Sequence, residues 1–212
     1  MSLRSRIFAL TYDRQLAKVE KAGLRTLRAA LIGQAAGRVL EIGAGTGANL
    51  ALYGAALESL VLTEPEKPMI RRLERRVREH TPSATVLRAP AEDLPFEDDA
   101  FDTVVSTLVL CGVSDQPRAL RQLHRVLRPG GRFLFLEHVR SEEPRLARLQ
   151  DRLNWLNRAV ARCDCNRPTL DSIRAAGFQV DQIERTAMRK VPPFVAPLIV
   201  GVATPVTRNN GS

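Results

Sequence analysis

The chain is expected to fold as an α/β domain, doubly wound about a mostly parallel sheet with an antiparallel strand at its C-terminal edge. Two observations carry this. Short apolar runs bounded by turn residues alternate with segments of helical periodicity, and the first run leads straight into a glycine turn, VLEIGAGTGANL at 39–50. A third, the late pair of strand-like runs joined by a proline-rich loop, places the antiparallel element at the edge.

Each element follows in order. An N-terminal helical segment, about 1–36, carries Leu16, Val19, Leu24, Leu27 and Leu31 as its apolar stripe. RVLEIG reads as a strand, LALYGAAL as a helix, SLVLTE as a strand and MIRRLERRVREH as a helix. ATVLRA is then a strand, DLPFEDDA a polar turn, FDTVVSTLVL a strand and PRALRQLHRVL a helix. GRFLFLEHV is a strand reached through the turn Pro129, Gly130, Gly131. LDSIRAAG supplies one more helix, and FQVDQIERTAM and PLIVGVAT the last two strands. No internal repeat or low-complexity linker interrupts the pattern.

Composition bounds the function. At 212 residues, 44% hydrophobic and 26% charged, the chain suits one globular domain spanning 1–212. The net charge of +9 invites a nucleic-acid reading. Its arginines are spread along the chain, however, and in RRLERRVREH they occupy the polar face beside the Ile70, Leu73, Val77 stripe. Specific nucleic-acid binding is not expected, while weak peripheral association with a membrane is compatible with the charge. No secretory signal is read at MSLRSRIFAL, and three cysteines cannot all pair, so a reducing cytoplasm is expected. Cys163 and Cys165 lack a second ligand pair at zinc-site spacing, and no metal is expected.

The glycine turn implies a ligand cradle. Gly43, Gly45 and Gly47 permit positive φ and close approach, and the following segment, with Asn49, Leu50 and Leu52, is expected to open a helix. The stretch also fits a dinucleotide pattern through Gly43, Gly45 and Ala48, with Glu64 near the offset of a ribose-binding acid. An NAD-binding oxidoreductase is therefore one reading. Glu41, a carboxylate among apolar neighbours, favours a cationic ligand instead.

Three motifs in order then carry a resemblance. EIGAGTG, AEDLPFEDDAFD and RVLRPGGRFLF together resemble the class I S-adenosylmethionine-dependent methyltransferases, over residues of about 10–205. The resemblance implies their seven-stranded, Rossmann-like sheet and S-adenosylmethionine as cofactor. It implies that Gly43, Ala44, Gly45 and Gly47 line the methionine portion, with Glu41 facing its ammonium. Glu64 would accept from the ribose hydroxyls, adenine would lie over Pro65 and against the Ala91 and Glu92 backbone, and Thr107 would touch the methionine end. Pro90 stands where many relatives carry aspartate.

Methyl transfer from a sulfonium needs a positioned nucleophile and, for a thiol or amine, a place for its proton. Ligands sit at the carboxyl ends of strands in such sheets, where this chain offers Cys111, Glu137 and His138. His138 is the expected general base. YDRQLAK, TLVLCGV, LEHVR and CDCNRPT most resemble segments of alkyl thiol S-methyltransferases and of related lipid and quinone methyltransferases. A small thiol is thus the expected acceptor, with a lipid amine or a quinone-type ring carbon as alternatives. An arginine-rich binding module is the reading from another class.

Overall fold

The computed structural model describes residues 17–206; Leu16 and the first part of the expected N-terminal helical segment lie outside them. After a kinked turn at Glu20–Leu24, helix α1 spans Arg25–Ile32. There follow β1 (Gly37–Ile42), β2 (Leu57–Thr63), α2 (Lys67–His80), β3 (Thr85–Leu87), β4 (Phe101–Thr107), α3 (Gln116–Val126) and β5 (Leu127–His138). The chain continues through α4 (Pro144–Ala161), α5 (Thr169–Ala175), β6 (Phe178–Ala187) and β7 (Pro197–Pro205).

The seven strands form one sheet in the order β3-β2-β1-β4-β5-β7-β6. All pairs up to β5 are parallel, and β7 runs antiparallel to both β5 and β6. The final strand is not the outermost, because β7 inserts between β5 and β6.

Side-chain alternation builds the layers on either side. Phe133 and Phe135 join Leu40, Val104, Leu120 and Leu123 on one face; Leu134 and Leu136 join Val39, Leu62, Leu73 and Val105 on the other. Central strands are buried on both faces, which is why they read as continuous apolar runs rather than alternating ones.

Two elements differ from expectation. The segment after the glycine turn forms only a single short turn at Leu50–Leu52, and Tyr53 already has extended geometry. The apolar Leu57 belongs to β2, paired with Gly37 of β1, so LALYGAAL is not a helix. Conversely, residues 144–161, for which no element was expected, form the longest helix among the described residues, α4. Glu143 caps it by accepting from the backbone N–H groups of Arg145 and Leu146, with Pro144 in the first turn.

The order of strands sets the site. From β1 the chain winds outward through β2 to β3, and β4 then returns to the other side of β1. The carboxyl ends of β1 and β4 therefore diverge at a topological switch point, where open α/β sheets bind ligands.

Candidate functional site

A cavity of about 840 Å³ opens at this switch point. Gly43 and Gly45 from the glycine turn, Glu64 and Pro65 after β2, and Ala91 and Glu92 after β3 line it. Glu41, Ala44, Gly47 and Thr107 are not among its lining residues.

Gly43 is required by geometry. Its φ of +56° is left-handed, and a Cβ there would meet Val109 Cγ1 at 2.6 Å. The absence of a side chain lets the turn fold against the loop that follows β4.

Glu64 forms the acidic wall. Its Oε2 accepts from Gly45 N at 3.0 Å and its Oε1 from Glu66 N at 2.9 Å. Each carboxylate oxygen has capacity for a further donor. Burial raises its pKa, against those two backbone bonds. An acceptor with spare lone pairs beside an open glycine backbone fits the diol of a nucleoside. Glu92 contributes differently: its Oε1 accepts from Ser114 N at 2.7 Å, and its carbonyl accepts from Arg118 Nε at 2.9 Å. That leaves its carbonyl engaged and the loop before α3 fixed.

Glu41 is 2% exposed and faces other protein groups. It accepts from Asn49 Nδ2 at 2.9 Å and from the Tyr53 hydroxyl at 2.6 Å. Burial raises its pKa, with Arg28 nearby opposing the shift. Arg28, itself buried, donates to Asn49 Oδ1 at 3.1 Å, to Thr107 Oγ1 at 2.6 Å and to Glu20 at 2.8 Å. Thr107 and Glu41 are thus joined by Asn49 in one buried polar network that braces the glycine turn from beneath. Sequence reasoning missed Arg28, Asn49 and Tyr53. A buried arginine among surface-facing ones carries no signal in its spacing.

The lining also includes an apolar, sulfur-bearing group, Leu108, Val109, Cys111, Val113 and Cys163. Leu108 takes a left-handed φ of 60°, a strained conformation of the kind that collects at ligand sites. Glu137, fully buried, holds this loop by accepting from Ser106 Oγ at 2.6 Å and Val109 N at 3.0 Å. Burial raises its pKa.

His138 does not line the cavity, contrary to its expected place beside the acceptor. It ends β5, is covered by the β7 pairing at Leu198, and is 7% exposed. Its Nδ1 lies 3.2 Å from Cys163 Sγ. Cys111, which is hydrogen-bonded to Cys163, completes a buried group of three whose ligand atoms lie within 4.8 Å of one another. Hydrogen bonding from Cys111, helped by His138, lowers the Cys163 thiol to about 5, while Cys111 is pushed up. The sequence expectation stopped at the Cys163, Cys165 spacing. The actual partners of Cys163 come from two other segments, and Cys165, pushed by burial up to about 11, is not one of them.

Comparison with known proteins accords with this architecture. Residues 40–135 match the family model described as "Methyltransferase domain". The chain is 33% identical over 181 residues to human thiol S-methyltransferase TMT1B, covering 80% of this chain and 72% of that protein. It is 34% identical over 138 residues to human thiol S-methyltransferase TMT1A, covering 64% of this chain and 56%, about half, of that protein's length. It is 31% identical over 153 residues to phosphatidylethanolamine N-methyltransferase of Cereibacter sphaeroides, covering 68% of this chain and 74% of that protein. Among solved structures, the YcgJ protein of Bacillus subtilis superposes with a TM-score of 0.70 at 19% identity over 86% of this chain and 98% of its own, a likeness of fold. With the glycine turn, the acid after β2 and relatives of this extent and identity, the chain belongs to the methyltransferase family.

Proposed function

We propose that the protein transfers a methyl group from S-adenosylmethionine to a small thiol. The single observation that carries this reading is the mixed lining of one cavity: a carboxylate and glycine backbone together with apolar side chains and two sulfurs. The cofactor supplies an electrophilic methyl on a sulfonium. Glu64 accepts from its ribose, the Gly43 and Gly45 backbone admits its amino-acid portion, and Pro65 with Ala91 flanks its base. The buried network of Arg28, Asn49, Thr107 and Glu41 keeps the turn in shape. Glu41 therefore acts on the ligand only through Asn49 and the turn.

Leu108, Val109 and Val113, in the same loop as Cys111, make the acceptor part of the wall apolar. His138 adjoins the acceptor part of the cavity only through Cys163 and does not itself line it. The thiol S-methyltransferase relatives support this acceptor. A lipid amine or a quinone-type ring carbon is the alternative, and incubation with S-adenosylmethionine and a panel of thiols, lipid amines and phenols, following S-adenosylhomocysteine release, separates them. Stabilisation by S-adenosylhomocysteine but not by NAD separates both from an oxidoreductase.

Association with an anionic membrane surface is favoured by α4. Its inward face is polar, with Gln150 donating to the carbonyls of Val139 and Cys165 and Asn157 donating to that of Cys163. Its outward face carries exposed apolar side chains: Trp155 is 69% and Val160 68% exposed, beside Leu149 and Leu156. Exposed Arg145, Arg148 and Arg152 are interspersed among them, and Arg158 lies at the border of that face. Such a helix suits the interfacial plane. It runs into Ala161 and Arg162 at the cavity rim, where a lipophilic acceptor would enter. Among the described residues no helix is long and apolar enough to cross a membrane.

A further inference from the structure

We infer that Cys111, His138 and Cys163 form a zinc site whose fourth position opens into the acceptor part of the cavity. This deepens the thiol reading of that same cavity and rests on it for the identity of the fourth ligand.

The geometry is that of three ligands of one tetrahedron. Zinc–sulfur bonds of ~2.3 Å and zinc–nitrogen bonds of ~2.0–2.1 Å require ligand atoms roughly 3.4–3.8 Å apart. The three candidate atoms lie within 4.8 Å of one another, with His138 Nδ1 and Cys163 Sγ at 3.2 Å. Two thiolates and a neutral imidazole balance a divalent charge, and this donor set is found in open catalytic zinc sites.

The three residues are held in place. They come from the loop after β4, the end of β5 and the loop after α4, and the backbone carbonyl of each accepts a hydrogen bond. Asp164 N donates to Cys111 O at 2.8 Å, Thr169 Oγ1 to His138 O at 3.0 Å, and Asn157 Nδ2 to Cys163 O at 2.6 Å. Arg167 further ties the loops by donating to the carbonyls of Leu110 and Val113. Ligands fixed before the ion arrives bind it at little ordering cost. A metal bound there would use the imidazole lone pair directly. With Nδ1 on the ion, the proton of a neutral imidazole lies on Nε2, which is buried without a hydrogen-bond partner among the described residues.

The open side is set by exposure to the cavity. Cys111 and Cys163 line it and His138 does not, so the imidazole closes the back and a fourth ligand enters from the acceptor part of the cavity. A thiol taking that position loses its proton to solvent and binds as thiolate. Its sulfur lone pair then forms the new S–CH₃ bond as the bond from that methyl to the sulfonium breaks. The products are S-adenosylhomocysteine and a neutral thioether, a poorer ligand that leaves.

The test begins with the wild-type full chain, stripped by chelator and titrated with zinc against a chromophoric competitor. One equivalent per chain is expected, with two of the three cysteines withdrawn from reaction with a thiol reagent. Cobalt substitution should give thiolate-to-metal charge-transfer absorption, which shifts when a small thiol is added. C111S and C163S should each weaken zinc binding by more than the ~10–100-fold typical of losing an outer-shell partner, while C165S should not. Zinc bound no more tightly by wild type than by the C111S/C163S double variant overturns the site. Thiol methylation that persists in the metal-free chain overturns it as well, and leaves the thiol reading standing. Stoichiometric zinc with a cobalt spectrum that no thiol shifts supports the site and removes the thiol as its ligand.

Discussion

Replacing Glu64 by glutamine keeps the length of the side chain and removes its charge. In the protein the two carboxylate oxygens accept separately from Gly45 N and Glu66 N, at 3.0 and 2.9 Å. A carboxamide offers one acceptor oxygen, so one of those backbone donors must face an NH₂ group. Hydrogen bonds to a charged group contribute ~1.5–3 kcal/mol. Within the fold part of that loss is offset, because burial already disfavours the ionised form and raises its pKa. The expected net cost is about 1 kcal/mol, a fall in melting temperature of ~2–4 °C for a chain of this size. A ligand diol has no such compensation. It loses a charge-assisted bond, and ~1.5–3 kcal/mol corresponds to a rise in Kd of roughly 10- to 150-fold. Titration calorimetry with S-adenosylhomocysteine and calorimetric unfolding of the free protein measure the two effects separately. A Kd within twofold of wild type would remove Glu64 from the ligand site, whatever happened to stability.

Gly43→Ala combines a left-handed backbone with an overlap against Val109, so a loss of about 3 kcal/mol is expected in denaturant unfolding, and a change below ~0.5 kcal/mol would contradict the packing. Glu41 and Glu64 have raised folded-state pKa values, so their contribution is fully present below the unfolded pKa of ~4.3 and is lost as pH rises through the folded values. Asp151, held down to about 2 by Arg140, contributes in the opposite sense, losing its share as pH falls from ~3.9 towards 2. As pH rises from ~4.3 through the raised folded values of Glu41 and Glu64, these two carboxylates should therefore lower the melting temperature, and Glu41→Gln should flatten that part of the profile; a slope identical in the variant would refute the assignment. Trp155→Ser with Val160→Ser should reduce co-sedimentation with anionic vesicles while leaving S-adenosylhomocysteine binding intact. Unchanged sedimentation would take α4 out of the interface.

Much of the sheet was legible because its central strands are buried on both faces and read as apolar runs such as Val39–Leu40 and Phe133–Leu136. Glu64 and the glycine turn were legible because spacing along the chain fixes them at one strand end each. Helix α4 escaped because its apolar side chains, Trp155 and Val160, face outward while Gln150 and Asn157 face the protein, inverting the pattern that marks a core-facing helix. LALYGAAL misled for the converse reason: Leu50 and Leu57 are spaced as on one helical face, but they belong to a short turn and to a strand. The group of Cys111, His138 and Cys163 assembles residues from distant segments, which only the folded topology brings together. The burial of Arg28 under the turn likewise depends on α1 packing against β5 and β7 and could not be read from composition.

Incubating the full chain with S-adenosylmethionine carrying an isotopically labelled methyl group and a small thiol follows the transferred methyl group itself. The label should appear on the thiol sulfur, with one S-adenosylhomocysteine released per thioether formed. Label transferred to a lipid amine or a phenol in a parallel incubation, with none on any thiol, would contradict the thiol reading.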